Sequence, residues 1–394
     1  MRELFPEETK LLTKLSGLGS IEIGLFEVTT TQLEKSIIDA NFLIRKSFLT
    51  TRFHDFENQE QGNEEKVLKK IFFFSNNSLS ETSMSLYRPS TKEGDPRLWI
   101  YNFTNLSPDT FPKDVIAIIQ NGTDCICLNI SLSTRKNQDL QTIYSFFATQ
   151  TQTESPVALE LLKKLETIAS RGPIITDKKG AMSIGFAVED ALGIKPNNSK
   201  KPDYKGVELK SSRSLSGNKE QTLFSKIFDR KLSPTKSHAD LLDKYGYLKE
   251  DGLKHLFCTV DALSPNPQGL KLSVDLKNGF LNEFWHGDSS QEHVCLWKLD
   301  ELTKALKDKH AETFWIEAEE TKTPNGTGFI LQKVIHTSSP RLSLFSFFLS
   351  DGTIVINHRL RRTLEGKVRD RGLAFRTKAR NLKEIFKVEG VYEF

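Results

Sequence analysis

The sequence predicts two domains: a mainly β domain over residues 1–150 and a mixed α/β domain over residues 151–394. Two observations favour this division. The chain has 394 residues, whereas single domains usually hold about 100–200 residues. In addition, residues 148–156 are polar and poor in large apolar side chains, which is typical of a linker or an exposed loop.

Short segments typical of β-strands dominate the first 150 residues. They are rich in β-branched and aromatic residues and are separated by Gly, Pro, Asn and Ser, a pattern that indicates a small barrel. One helix is predicted over residues 31–41. The predicted strands cover residues 20–28, 69–74, 83–87, 98–103, 115–120 and 124–130.

Helices and strands alternate in the rest of the chain, which indicates an α/β core. Ser155 is predicted to cap a helix that begins at the following proline. A second helix is predicted over residues 180–192, with Gly193 at its C-terminal end. A third is predicted over 300–309, with Asp300 as its N-cap. The predicted strands cover residues 206–211, 293–299, 314–318, 328–336 and 353–357.

Cysteine content and hydropathy disfavour several classes of protein. Cys125 and Cys127 form a C-x-C pair with no second pair at zinc-site spacing, and their alternation with apolar residues favours buried structural thiols over a metal site. The apolar runs are far shorter than the roughly 20 residues that cross a bilayer. The N-terminus carries early acidic residues and no apolar signal segment. We therefore expect a cytosolic protein.

Positive charge is concentrated near the C-terminus. Residues 1–150 hold 16 Lys and Arg against 19 Asp and Glu, a net charge of −3. Residues 151–394 hold 39 against 32, a net charge of +7, and residues 341–380 alone hold 10 against 3. Such a stretch attracts polyanions, because each phosphate contact releases condensed counterions. A solvated basic surface is the alternative.

Residues 202–210, P-D-Y-K-G-V-E-L-K, carry a pattern suited to phosphodiester hydrolysis. Strand alternation puts Glu208 and Lys210 on one face and the intervening apolar residues on the other. Gly206 permits a tight turn that folds Asp203 back toward Glu208. Two carboxylates can hold Mg²⁺, and a lysine can orient the attacking water and stabilise the anionic transition state. Taken alone, the pattern also fits an ordinary solvent-facing strand.

The residues ahead of this motif extend the pattern. A helix with Glu189 and the turn L-G-I-x-x-N lead into it, and over residues 180–213 the sequence resembles the MvaI/BcnI family of restriction endonucleases. The resemblance implies a PD-(D/E)xK nuclease fold, Mg²⁺ as cofactor and double-stranded DNA as substrate. It further implies Asp203 and Glu208 as metal ligands, Lys210 as the catalytic lysine, and Glu189 as an assisting acid. The alternative for Glu189 is a solvent-facing helix residue.

Candidate DNA contacts follow from the same resemblance, since base-contacting residues of the family come from its late region. Arginine is the commonest partner of guanine O6 and N7 in the major groove. Phosphate contacts or surface ion pairs are the alternative for each arginine. A Ser-rich loop after the catalytic strand also suits close approach to phosphates. The candidates are Arg359, Arg369, Arg371, Arg376, His358 and, in that loop, Arg213.

Residues 87–100 and 111–119 resemble the end of an EcoRII-type effector domain, a pseudobarrel that binds DNA. Together with the MvaI/BcnI resemblance, this implies a type IIE restriction enzyme of the prokaryotic cytoplasm, a monomer that binds two copies of a short near-palindromic site such as CCWGG. A MutH-like nicking enzyme and a non-catalytic DNA-binding regulator are the alternatives. The candidate contacts in this domain are Arg52, Arg88, Lys92 and Arg97.

Overall fold

The chain groups into two compact units in this computed structural model. One unit comprises Met1–Gln152 and Leu276–Asn278, and the other Thr153–Asp275 and Gly279–Phe394. That these units act as separate DNA-binding and catalytic domains stays a prediction. The structure describes residues 1–2, 4–18, 21–91, 94–122, 124–147, 155–180, 182–194, 202–324, 326–370 and 372–394. No helix in these ranges is long and apolar enough to cross a membrane.

The first unit is built on one mixed sheet with the strand order β1-β6-β7-β3-β4-β5-β2. Its pairs are antiparallel except for β3 with β7. The helices are α1 (Pro6–Leu15), α2 (Thr30–Lys35), α3 (Phe42–Thr50), α4 (Phe103–Leu106), α5 (Ile130–Arg135) and α6 (Gln141–Phe147). The strands are β1 (Glu22–Glu27), β2 (Ile37–Asp39), β3 (Val67–Ser75), β4 (Ser78–Tyr87), β5 (Arg97–Ile100), β6 (Val115–Asn121) and β7 (Asp124–Asn129).

Each strand predicted in this unit overlaps an observed one, but the helix predicted over residues 31–41 is wrong in its second half. Ser36 adopts a left-handed conformation with φ 53° and ends α2. Ile37 then pairs with Trp99, so the following residues form the edge strand β2. Among the described residues β1 and β2 are separate sheet edges, and the predicted pseudobarrel therefore stays a prediction. Cys125 and Cys127 are buried in the core, as expected of structural thiols.

The second unit alternates helices with strands, as the sequence predicts. Its helices are α7 (Pro156–Ser170), α8 (Ser183–Ala191), α9 (His238–Tyr245), α10 (Leu299–Lys309), α11 (Phe345–Ser350) and α12 (Leu382–Ile385). Its strands are β8 (Ile174–Thr176), β9 (Glu208–Ser212), β10 (Glu220–Ser225), β11 (Tyr247–Leu248), β12 (Lys254–Val260), β13 (Leu270–Asp275), β14 (Phe280–His286), β15 (Gln291–Lys298), β16 (Glu312–Thr323), β17 (Gly326–Pro340), β18 (Ile354–Arg362), β19 (Val368–Asp370), β20 (Ala374–Lys378) and β21 (Phe386–Glu393).

Two of the sheets in this unit position the candidate site. The first has the order β21-β17-β16-β9, so β9 lies at its edge and runs parallel to β16. The second has the order β10-β20-β18-β12-β11, with β19 paired to β18. A third sheet, β13-β14-β15, completes the unit. Helices α7 and α8 pack on the first sheet through buried residues such as Leu161, Val188 and Leu209.

The helix ends in this unit follow the predicted signals, with one exception. Ser155 accepts a hydrogen bond from the backbone of Ala158 and caps α7. Gly193 has φ 74°, the left-handed conformation predicted after α8. Asp300 is not the N-cap of α10, because the helix begins one residue earlier and Lys298 takes that position. Asp300 instead lies in the first turn, where its charge interacts favourably with the helix dipole.

Candidate active site

A tight turn precedes β9, the strand that carries Glu208. Tyr204 and Val207 form an antiparallel bridge, with reciprocal backbone hydrogen bonds of 2.9 and 2.8 Å. The two residues between them, Lys205 and Gly206, have φ values of 46° and 96°. Positive φ at both central positions is the requirement of a type I′ turn, and glycine meets it without strain. This is the turn that the sequence predicts at Gly206.

The turn brings Asp203 back onto the strand that carries Glu208. One carboxylate oxygen of Asp203, Oδ2, accepts a hydrogen bond of 3.0 Å from the backbone N–H of Leu209. That bond fixes Asp203 beside β9, and Leu209 packs into the apolar core on the opposite side of the strand. The two carboxylates of the motif therefore stand at the same end of β9, as the spacing predicts.

Glu208 is fully buried and is held between two lysines. Its Oε1 forms an ion pair and hydrogen bond with Lys210, which lies two residues along the strand. On the other side, Lys309 Nζ forms an ion pair with Oε2 at 2.7 Å. An ionised carboxylate without water needs such partners, because burial strongly disfavours its charge.

The site perturbs the pKa of two carboxyl groups. Burial raises the pKa of Glu208, although Lys210 and Lys309 oppose the shift. Burial also raises the pKa of Glu189 on α8, and the negative charges of Asp203 and Glu208 add to that shift. Glu189 is thus within electrostatic reach of the whole cluster, which was the expected position of the helix glutamate. Raised carboxyl pKa values in one cluster are typical of functional sites.

The donor set fits a magnesium ion bound by few protein ligands. In the described ranges, no group of three or more His, Cys, Asp or Glu side chains is arranged to hold a metal. Mg²⁺, however, usually takes one or two carboxylates and completes its shell with water and phosphate oxygens. Lys309 Nζ lies 2.7 Å from Glu208 Oε2, so a cation bound by this oxygen would share it with that lysine or displace the lysine. Asp203 is the second carboxylate of such a site.

Lys309 is a candidate site residue that sequence patterns did not reveal. It is the last residue of α10, 99 positions after Lys210, and no motif connects the two. The parallel pairing of β9 with β16, in which Thr313 lies opposite Glu208, brings the end of α10 to the catalytic strand. The only sequence signal was a basic last turn at the end of the predicted helix.

His310, the next residue, forms a hydrogen bond to the second sheet. Its ring is fully buried and stacks on Trp315 with centroids 5.3 Å apart. Its Nε2 donates to the carbonyl of Leu223 on β10 at 2.6 Å, so its Nδ1 accepts from the hydroxyl of Thr313 at 3.0 Å. Burial lowers the pKa of His310 to about 3, and the charges of Lys210 and Lys309 act in the same direction. His310 is therefore a neutral structural residue.

One face of the second sheet gathers the predicted DNA-contacting arginines. On β18, Arg359 and Arg361 point to the side opposite the core residues Ile356 and Leu360. Register places Arg369 of β19 opposite Arg361, and Arg376 of β20 opposite Val355. We call this surface the basic sheet face; it comprises Arg359, Arg361, Arg369, Arg376 and Lys378. Arg361 and Lys378 were not predicted, and Arg371 lies outside the described residues.

His358 does not lie on the basic sheet face, so its prediction as a base-contacting residue is wrong. It alternates with Arg359 along β18 and therefore points into the core, where it is 1% exposed. Its Nε2 lies 3.0 Å from both carboxylate oxygens of Glu283, which is also fully buried. A side chain in this position cannot contact a base edge without opening the sheet.

The remaining predicted contacts are mostly engaged within the protein. Arg213 forms an ion pair of 2.5 Å with Glu320 and a 3.2 Å hydrogen bond to Ser183, the first residue of α8. This arginine therefore helps to join the catalytic strand to the helix of Glu189. Because its guanidinium is already paired, Arg213 is less available to contact a DNA phosphate.

In the first unit, two of the candidate arginines have partners within the protein. Arg88 donates to the carbonyls of Gly94 at 2.9 Å and of Gln59 at 3.2 Å. Arg97 forms an ion pair with Asp39 at 3.4 Å. Arg52 is exposed, with φ 58°, and Lys92 lies outside the described residues. These contacts leave the DNA-binding role of the unit a prediction.

Comparison with solved structures defines the class of fold. The complex of restriction endonuclease MvaI with its cognate DNA substrate matches with a TM-score of 0.53 and 21% identity, covering 61% of this chain and 99% of that chain. MvaI in the absence of DNA matches with a TM-score of 0.39 and 20% identity over the same shares. At this identity the first likeness shows the fold alone, which is that of a restriction endonuclease.

The sequence family gives the more specific assignment. The profile of the MvaI/BcnI restriction endonuclease family matches residues 162–386, which is more than half of the chain. No curated protein matches. The chain belongs to the MvaI/BcnI restriction endonuclease family, as the residues around Asp203 indicated, and it is a type II site-specific deoxyribonuclease.

Proposed function

We propose that this enzyme hydrolyses phosphodiester bonds of double-stranded DNA in a Mg²⁺-dependent reaction at a short near-palindromic site of the CCWGG type. The observation that carries the proposal is the convergence of Asp203, Glu208 and Lys210 at one end of β9. The basic sheet face of the same unit supports DNA as the substrate, because its guanidinium groups match phosphate oxygens and guanine edges.

Each residue of the cluster has a distinct role in this proposal. Asp203 and Glu208 hold Mg²⁺, which when bound neutralises phosphate charge and lowers the pKa of the attacking water. Lys210 orients that water and stabilises the negative charge that develops on the phosphate. Lys309 compensates the charge of buried Glu208. Glu189, whose pKa is raised by burial, adds a carboxyl group that can hold a proton near the reaction.

The first unit is proposed to be an effector domain, which would make the enzyme a type IIE endonuclease. In this proposal a monomer binds one copy of the site in each unit, and occupation of the first unit stimulates cleavage. Of the candidate contacts that the structure describes in this unit, Arg52 is the most exposed. The net charge of −3 over residues 1–150 favours a small contact patch over a broad electrostatic surface.

The proposal is tested by incubating the purified full-length protein with plasmid DNA, with and without Mg²⁺, and sequencing the ends of the products. Double-strand cuts at one short motif support it, whereas persistent single-strand nicks would support a MutH-like enzyme instead. We expect that Asp203→Ala and Lys210→Ala abolish cleavage but leave DNA binding within about twofold, because neither side chain belongs to the basic sheet face.

The matched control is Asp190→Ala, which removes an exposed acid one residue from Glu189. This variant should cut like the wild-type enzyme. Full activity of Asp203→Ala or Lys210→Ala would refute the assignment of the site, and absence of any cleavage by the wild-type enzyme would refute the proposed function.

A further inference from the structure

A chain of polar contacts crosses the basic sheet face and centres on one acidic residue. Glu220 of β10 forms an ion pair and hydrogen bond with Arg376 Nη1 on the neighbouring strand β20. Its Oε2 also accepts a long hydrogen bond of 3.4 Å from Asn357 on β18. Asn357 in turn accepts one of 3.4 Å from Thr259 on β12. The contacts thus run across four neighbouring strands of the sheet.

The side chain of Arg376 is largely shielded from solvent. Its side chain is 14% exposed, against 37% for Glu220. Burial lowers the pKa of Arg376, the nearby charge of Arg359 lowers it further, and Glu220 opposes both. Its Nε is buried and has no hydrogen-bond partner among the described residues. The guanidinium is therefore held at Nη1 by the carboxylate of Glu220 and, over a long 3.5 Å, at Nη2 by the backbone carbonyl of the same residue.

This arrangement matches what base recognition requires of an arginine. A guanidinium contacts guanine through two donors in one plane, so its rotamer must be fixed with respect to the base. A free arginine loses much rotamer freedom when it makes such a contact. A carboxylate that holds the side chain before DNA arrives reduces this loss. It also offsets the repulsion between Arg359 and Arg376.

We propose that Glu220 is a positioning residue that fixes the guanidinium of Arg376 for base recognition and thereby sets the sequence discrimination of the enzyme. This inference rests on the proposed function, since it requires DNA as the substrate. It differs from a purely electrostatic role, in which the charge of Glu220 only repels phosphates. Positioning acts through Arg376, whereas repulsion of phosphates does not need that arginine.

The test uses the full-length enzyme and the site defined by sequencing its product ends. The parameters kcat and KM are measured for the cognate duplex and for duplexes with one substituted base pair. Glu220→Gln should lower the cognate kcat/KM about tenfold, mainly through KM, and lower the ratio of cognate to substituted duplexes by a similar factor. The control Glu292→Gln, which removes an exposed glutamate paired with Lys244, should change neither value.

The decisive comparison repeats Glu220→Gln in an Arg376→Ala background. If Glu220 acts by positioning, the second substitution causes no further loss of discrimination, because the residue it acts on is gone. Equal losses in both backgrounds would overturn the proposal, and so would a gain in kcat/KM shared by all duplexes, which is the result expected if the charge of Glu220 only repels phosphates. Unchanged discrimination in the single variant would overturn it as well. Circular dichroism and thermal unfolding check the fold, and Glu220→Asp, expected to give an intermediate loss, replaces a Gln variant that fails to fold.

Failure of the proposed function gives a different result from failure of this inference. A wild-type enzyme that cuts no DNA refutes the function itself. A wild-type enzyme that cuts at one motif, beside a Glu220→Gln variant with unchanged discrimination, refutes only the role of Glu220.

Discussion

Replacing Lys309 by methionine should destabilise the second unit in a pH-dependent manner. The substitution removes one of the two cations that pair with the buried Glu208. Breaking a buried ion pair costs about 3–5 kcal/mol, but Lys309 is 22% exposed and Lys210 remains, so we expect about 1–2 kcal/mol. At about 2–4 °C per kcal/mol for a unit of this size, the melting temperature should fall by about 2–8 °C near neutral pH.

The pH dependence follows from the direction of the Glu208 shift. Its pKa is raised above 4.5 in the folded chain, so ionisation of Glu208 costs folding free energy as the pH rises through the folded pKa. Loss of Lys309 raises that pKa further and enlarges the cost. The difference in melting temperature between wild type and variant should therefore be largest near pH 7.5. It should shrink toward pH 4.5, where the raised pKa of Glu208 favours the protonated carboxyl group in both proteins.

Differential scanning calorimetry of both proteins between pH 4.5 and 8 measures this difference. Lys307→Met, on the exposed side of the same helix turn, is the matched control and should have little effect. In a Glu208→Gln background, Lys309→Met should also become nearly neutral, because no buried charge remains to be compensated. The role assigned to Lys309 would be refuted if the melting temperature of Lys309→Met fell equally at pH 4.5 and pH 7.5. It would also be refuted if Lys307→Met lowered the melting temperature as much as Lys309→Met.

Two further predictions concern the core of the second unit and the role of the first. His358→Leu leaves Glu283 buried without this partner, so thermal unfolding should show that the free energy of unfolding falls by about 3–5 kcal/mol. Cleavage specificity should not change. Altered specificity at unchanged stability would favour base contact by His358 instead. Deleting residues 1–150 should leave a fragment that cuts DNA but no longer responds to added cognate oligonucleotide, and a preserved response in a cleavage assay would contradict the effector role.

The local geometry of the site could be predicted from the sequence because it depends on near neighbours. Strand alternation set Glu208 and Lys210 apart from Leu209 between them, and Gly206 supplied the turn that returns Asp203 to the strand. Likewise, Ser155 and Gly193 identified the ends of two helices through capping rules that involve only a few residues. The prediction of Asp300 as N-cap was wrong, because α10 begins at Leu299 without a side-chain hydrogen bond that caps it.

The first unit shows where local patterns mislead. Residues 31–41 have the composition of one helix, yet the chain leaves the helix at Ser36 and pairs with β5. That pairing joins Ile37 to Trp99, more than sixty residues along the chain, and periodicity in one segment contains no information about such a partner. Tertiary pairing thus overrode the local propensity.

The sequence alone indicated the family, the pattern of Asp203, Glu208 and Lys210, and the alternation of helices and strands in the second unit. Only the tertiary structure decided which side chains surround that pattern and which arginines gather on the basic sheet face. The parallel register of β9 with β16 brought Lys309 to Glu208, and the covered side of β18 turned His358 inward while leaving Arg359 outward. The physical reason is that periodicity assigns residues to faces, whereas long-range strand pairing and packing decide which face is buried and what it meets.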